Sequence, residues 1–189
     1  MECAFEILGL VAFAATGVMA ACKKDLDLIG CLSVAVLSGI GGGTFRDMIL
    51  SRPVFWLNEP YMYSFNTCIA TGAVVYACSK FLEGRREMAI NLLDALGLAL
   101  FSVQGFIIGL NTSGKYEVAI FCGVLTGVGG GVLRDVSLTR QPFIFRGELY
   151  ASASVLGLIF LCLAKTPILA GIVIFSLRFG AIKFGWRLK

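Results

Sequence analysis

Apolar runs bounded by charge or turn residues recur along the chain at roughly 3–22, 28–50, 61–82, 89–110, 118–139, 149–164 and 167–184. A helix needs about 20 residues to cross the ~30 Å hydrocarbon core of a bilayer, so the pattern predicts an all-α polytopic membrane protein of seven transmembrane helices. The sixth and seventh runs are the shortest and are parted only by Lys165, Thr166 and Pro167, the proline suiting the first turn of a new helix. The first run opens Met1-Glu2 and carries Glu6, with no basic leading segment. It is therefore expected to stay as a span rather than to be cleaved as a signal peptide.

One stretch repeats. Gly39-Ile-Gly-Gly-Gly-Thr-Phe-Arg-Asp47 returns 88 residues later as Gly127-Val-Gly-Gly-Gly-Val-Leu-Arg-Asp135, with six identities in nine. At the same offset Glu6 falls on Asp94, Gly9 on Gly97, Phe13 on Phe101, Thr16 on Gln104 and Gly17 on Gly105; after a one-residue slip Pro53 falls on Pro142, Glu59 on Glu148 and Tyr61 on Tyr150. The repeat thus covers three spans, about 1–82 and about 89–164, with an extra helix at about 167–184 and no separate soluble domain. Three is odd, so the second unit enters the membrane from the opposite side, giving an inverted 3+3 repeat plus a seventh helix.

Composition agrees with this plan: 58% hydrophobic and 15% charged, with a mean hydropathy of +0.86, against about 25% charged in soluble domains. There is no histidine, which removes the commonest general base and a common metal ligand. No nucleophile-and-base or metal constellation points to an enzyme, and no cofactor is expected. Seven cysteines lie in apolar stretches without paired spacing and read as small hydrophobes. The net charge of +4 is spread between the apolar runs rather than clustered, which argues against nucleic acid as a partner. With the spans alternating, Arg46, Arg52, Lys115 and Lys165 fall on one side, and the other twelve of sixteen basic residues, including Arg134 and the tail's Arg178, Lys183, Arg187 and Lys189, fall opposite. The N-terminus is therefore expected outside and the C-terminus in the cytoplasm.

The repeated stretch carries the candidate chemistry. Gly41, Gly42 and Gly43 sit past the middle of the second span, and Gly129, Gly130 and Gly131 hold the same place in the fifth. Each glycine costs up to about 1 kcal/mol in a helix interior relative to alanine, and a run of them can kink or unwind the helix and free carbonyls for an ion. Close helix packing is the alternative, but the Arg-Asp dipeptide repeated beside both runs favours a pore. Arg46, Asp47, Arg134 and Asp135 fall at depths where ionisable groups are costly unless paired or hydrated. Because neighbours on a helix face apart, the expected pairs cross the repeat, Arg46 with Asp135 and Arg134 with Asp47; the other reading has both arginines reaching headgroups. Ser38, Thr44 and Thr126 beside the glycines, with Thr16 and Gln104 near mid-span, are further pore-lining candidates. Glu6 and Asp94 lie near span ends, where exposure to headgroups is at least as natural as a place at a pore mouth.

In these residues the chain resembles the trimeric intracellular cation channel (TRIC) family in its bacterial and archaeal branch: the two GGGxxRD stretches, the 3+3+1 plan and the outside N-terminus all match, over essentially the whole chain. The resemblance implies a homotrimer in which each protomer holds its own pore, lined by glycine-kinked second and fifth helices and conducting monovalent cations, K⁺ foremost or Na⁺. By position, the pore roles fall on the glycine runs and their Arg-Asp pairs. The absence of a long charged C-terminal tail favours a prokaryotic inner membrane over the reticulum of animal members, with membrane lipids as neighbours. A transporter of glycine or another small zwitterion stays open beside the channel, since an arginine and an aspartate suit a carboxylate and an ammonium equally well.

Overall fold

A computed structural model of the protein describes residues 2–57, 63–79, 81, 84, 86–146 and 149–186. Seven α-helices follow one another: α1 Glu2–Cys22, α2 Leu28–Ile49, α3 Tyr63–Ala77, α4 Arg86–Ser113, α5 Tyr116–Ser137, α6 Ala151–Ala164 and α7 Pro167–Phe184. No strand occurs among the described residues. α1, α2, α4, α5 and α7 are long and apolar enough to cross a membrane. α3 and α6, at 15 and 14 residues, are shorter than the runs that predicted them. Each follows a segment that breaks off after the Arg-Asp pair and winds into one 3-10 turn, Phe55–Leu57 before α3 and Phe143–Phe145 before α6. Glu59, Tyr61 and Glu148 of the sequence repeat, and Arg187 and Lys189 of the tail, lie outside the described residues.

The element ends follow local chemistry. Asp27 caps α2, its Oδ1 accepting from the Gly30 amide at 2.8 Å, and Pro167 opens α7 as expected. α2 and α5 close alike. Leu50 N–H donates to the Arg46 carbonyl at 3.0 Å and Arg52 N–H to that of Asp47 at 2.9 Å, while Leu138 and Arg140 repeat this on Arg134 and Asp135 at 3.2 and 2.8 Å. The turn residue between them is Ser51 in one case and Thr139 in the other, both left-handed at φ 53°. This turn folds the following chain back over the helix end.

α1, α2, α4 and α5 form the packed centre; α3 lies against α1 and α2, and α6 and α7 lie on the α4 and α5 side. The apolar core divides into one cluster around Leu10, Phe13, Val18, Cys31 and Ala35 and another around Leu98, Phe106, Leu158 and Ile174. Outward faces are apolar too: Ile29, Val74, Leu163 and Ile172 are all more than half exposed, as lipid contact requires. Cys31, Cys68 and Cys122 are buried and Cys22 and Cys162 half-buried, but Cys78 is exposed rather than a core hydrophobe; none of these six is disulfide-bonded.

The glycines set how closely the centre packs. A methyl added at Gly42 would fall on the Thr126 carbonyl, and one at Gly130 on the Ser38 carbonyl. Ser38 thus meets Gly130 while Gly42 meets Thr126, so α2 and α5 run in opposite directions where they cross. α1 and α4 do the same, with Gly9 against the Phe101 ring and Gly97 against that of Phe13. In every case residues matched at 88 make matching contacts. Both glycine-run helices are continuous through Gly41–Gly43 and Gly129–Gly131, so the expected unwinding is absent. With the partner backbone in van der Waals contact there is no room for a loosened turn, and a freed carbonyl in apolar surroundings costs several kcal/mol.

Candidate functional site

All four repeated charges are buried, each at most 2% exposed. The expected pairing across the repeat does not occur. Arg46 folds back on its own neighbour, its Nε donating to Asp47 Oδ1 at 2.9 Å and its Nη2 lying 2.8 Å from the same oxygen. Arg134 Nε likewise donates to Asp135 Oδ1 at 3.0 Å. Two physical facts explain the difference. The three methylenes of arginine let its head return to the next residue, a freedom that the rule for adjacent helix positions, framed for shorter contacts, leaves out. And since α2 and α5 run oppositely, Arg46 and Arg134 lie six residues past the crossing in opposite directions, about 18 Å apart along the helices at ~1.5 Å per residue. Reaching headgroups is excluded as well by their burial.

Each pair is completed by an aromatic ring from the returning chain. The Arg46 guanidinium lies 5.7 Å from the Phe55 ring centroid and that of Arg134 lies 5.4 Å from Phe143, within cation–π range. Phe55 and Phe143 are themselves 88 residues apart, so the register continues through this segment without the expected slip.

The surroundings of the pairs then diverge. Beside the first, Asp47 Oδ2 accepts from the Phe55 amide at 2.9 Å. Glu6 of α1 is buried at 2% exposure, its Oε1 accepting from Ser64 Oγ at 2.7 Å and its Oε2 from Gln104 Nε2 at 3.3 Å. Between Glu6 and Arg46 lies a cavity of about 140 Å³, walled also by Gly39, Gly43, Gln104 and Thr126, with room for several waters. Arg52 and Asn111 line it towards its exposed end, where Arg52 Nη1 donates to Thr112 Oγ1 at 2.7 Å.

Beside the second pair the matching carboxylate is captured. Arg134 Nη1 donates to Asp94 Oδ1 at 2.7 Å and to Thr16 Oγ1 at 3.0 Å, and Thr16 in turn donates to the Phe13 carbonyl at 2.8 Å. Arg178 of α7, placed in the tail by the sequence pattern, is instead buried at 1% exposure, its guanidinium 5.1 Å from the Phe143 centroid and 4.9 Å from that of Tyr150. Arg146 approaches the same Phe143 ring at 4.4 Å. Asp94 is fully buried, α4 beginning at Arg86, ahead of the apolar run; with Glu6 at 2% exposure, both carboxylates sit inside the bundle rather than at headgroups.

Of the other sequence candidates, Gly43 and Thr126 reach the cavity, whereas Gly41, Gly42, Gly129 and Gly130 are taken up by the crossing and Gly131 faces the Tyr150 hydroxyl. Ser38 is buried with its hydroxyl on the Val34 carbonyl at 2.6 Å. Thr44 donates to the Ile40 carbonyl at 2.8 Å and accepts from Trp56 Nε1 at 3.0 Å. Ser64, Phe55, Phe143, Tyr150 and Arg178 went unread as site residues. The two phenylalanines carried a usable signal, their spacing of 88; Ser64 and Arg178 carried none.

A family model described as Glycine transporter matches residues 3–80 and again 91–166, each stretch taking in one three-helix unit. The inner membrane protein YadS of Escherichia coli (strain K12), of the UPF0126 group, is 34% identical over 194 aligned residues that cover 97% of this chain and 92% of YadS. The solved TRIC trimeric intracellular cation channel orthologue from Rhodobacter sphaeroides is 32% identical, with a TM-score of 0.88 and 98% of each chain covered. A prokaryotic TRIC channel solved in 0.5 M KCl is 26% identical, with a TM-score of 0.90 over 99% of this chain and 98% of that one. Fold and site together define a multi-pass helical membrane protein organised around two buried, arginine-centred ion clusters. The chain belongs to the TRIC family, in the bacterial branch that includes the UPF0126 proteins.

Proposed function

We propose that the protein is a monovalent cation channel, permeable to K⁺, with one pathway inside each protomer of a homotrimer. The observation that carries this reading is the cavity between Glu6 and Arg46, which lies beside the α2 and α5 crossing and reaches Arg52 and Asn111 at its exposed end. The opposed courses of α2 and α5 and of α1 and α4 support an inverted repeat across the bilayer, so that the two clusters serve opposite membrane faces. Arg134, held by Asp94, Asp135 and Thr16, then closes one end, and release of these bonds opens it. One charge crossing the full field gains about 2.3 kcal/mol per 100 mV, enough for voltage to bias that step.

Homotrimeric assembly is supported by the solved relatives, which are trimeric intracellular cation channels. An inner-membrane location with the N-terminus outside is supported by YadS and by the basic residues, whose bias survives removal of the buried Arg46, Arg134 and Arg178. The test is recording from purified protein in planar bilayers. Stepwise unitary currents that reverse near the K⁺ equilibrium potential are expected; their absence together with saturable glycine uptake into liposomes overturns the reading.

A further inference from the structure

We propose that the Glu6 carboxylate, and neither aspartate of the Arg-Asp pairs, is the group that holds and selects cations in the pathway. The proposal rests on the cation-channel reading and names the ligand position within it. The carboxylates of the two clusters differ in what they have left to offer. Asp47 spends Oδ1 on two nitrogens of Arg46 and Oδ2 on the Phe55 amide. Asp94 and Asp135 share Arg134. Glu6 alone among these four is held by neutral donors, Ser64 and Gln104, so its charge is not cancelled by a direct partner. Each of its oxygens accepts one side-chain hydrogen bond and keeps lone-pair capacity for another ligand.

The neighbouring walls add oxygen and no further anion. Gln104 commits its Nε2 to Glu6, which leaves Oε1 as an acceptor, and Thr126 donates its proton to the Cys122 carbonyl at 2.6 Å, which leaves its hydroxyl oxygen as one. Both residues line the cavity with Glu6. A carboxylate with an amide and a hydroxyl oxygen is a donor set for a hard cation. Two cations face the same space. Arg46 is neutralised by Asp47, and Arg52 sits at the exposed mouth on Thr112, where salt screens it. The deep, unscreened charge is therefore negative. Its repeat counterpart, Asp94, is the carboxylate that Arg134 captures, so the cation position is available in one half and occupied by an arginine head in the other.

The experiment compares wild type, Glu6→Gln and Glu6→Asp as full-length purified protein, in two readouts. In planar bilayers under a KCl gradient, Glu6→Gln is expected to lower unitary conductance several-fold and move the reversal potential towards zero. The effect should persist from about 0.01 M to about 1 M salt, because a buried charge is screened much less than an exposed one; Glu6→Asp should retain selectivity. Unitary properties report only folded channels, so a loss of yield does not mimic the result. In detergent, the thermal stabilisation given by K⁺ over N-methylglucamine should vanish in Glu6→Gln. Conductance, selectivity and K⁺ stabilisation all unchanged in Glu6→Gln overturn the proposal. Absent wild-type currents alongside a K⁺ stabilisation that needs Glu6 overturn the channel reading and leave the cation site standing.

Discussion

The Arg46 and Arg134 sites have the same backbone, the same helix-closing turn, the same Arg-Asp pair and the same phenylalanine, yet they hold their third member differently. At the first, the acidic side chain of the neighbouring helix is Glu6, held by neutral groups beside a cavity; at the second it is Asp94, bound by the arginine itself at 2.7 Å. A repeat therefore copies a scaffold without copying its state. One half keeps a cavity beside its carboxylate and the other a closed ion cluster, the asymmetry on which the proposed gated pathway rests.

The largest test of this contrast is removal of the arginines. Arg134→Ala leaves Asp94 and Asp135 buried without their cation and should cost about 3–5 kcal/mol. Arg46→Ala should cost about half of that, because Asp47 keeps the Phe55 amide and the cavity admits water. Thermal unfolding of the purified variants measures both, and equal losses would erase the distinction. Gly42→Ala and Gly130→Ala should each cost about 1–3 kcal/mol, since both methyls meet a partner carbonyl. Here the halves should agree, with Gly84→Ala, which meets nothing within 4 Å, as a silent control. Phe143→Leu should lose more than Phe55→Leu, by about 1 kcal/mol, because three guanidinium groups face Phe143 and one faces Phe55. Smallest is Arg52→Gln. Removing a screened charge at the mouth should raise unitary conductance modestly at low salt and leave it unchanged at high salt.

Much of this architecture is legible in the sequence, because spans and repeats are written in hydropathy and spacing. The second span was expected at 28–50 and α2 runs Leu28–Ile49; the seventh, expected at 167–184, is α7 at Pro167–Phe184. The duplicated Arg-Asp stretch points to the two sites directly. Their wiring is not legible there. Periodicity speaks of where a Cβ points, whereas the arginine head sits several bonds away and turns back. The expected pairing across the repeat also conflicts with the inverted plan itself, which sends equivalent residues to opposite ends of the bundle. The glycines show a related limit: composition marks weak helix positions, but whether they unwind or pack depends on the neighbour, and here each run meets a backbone. Asp94 is hard to place from hydropathy because α4 starts at Arg86, ahead of its apolar run.

In the proposed channel, one matching carboxylate serves the passing ion and the other serves the gate. Single-channel recording of Glu6→Gln beside Asp94→Asn, in the same bilayers and salt, tests it most directly. Glu6→Gln is expected to lower unitary conductance with little change in open probability, and Asp94→Asn to raise open probability with unitary conductance near wild type. If both substitutions change the same parameter to the same extent, the two sites are equivalent and the account is wrong.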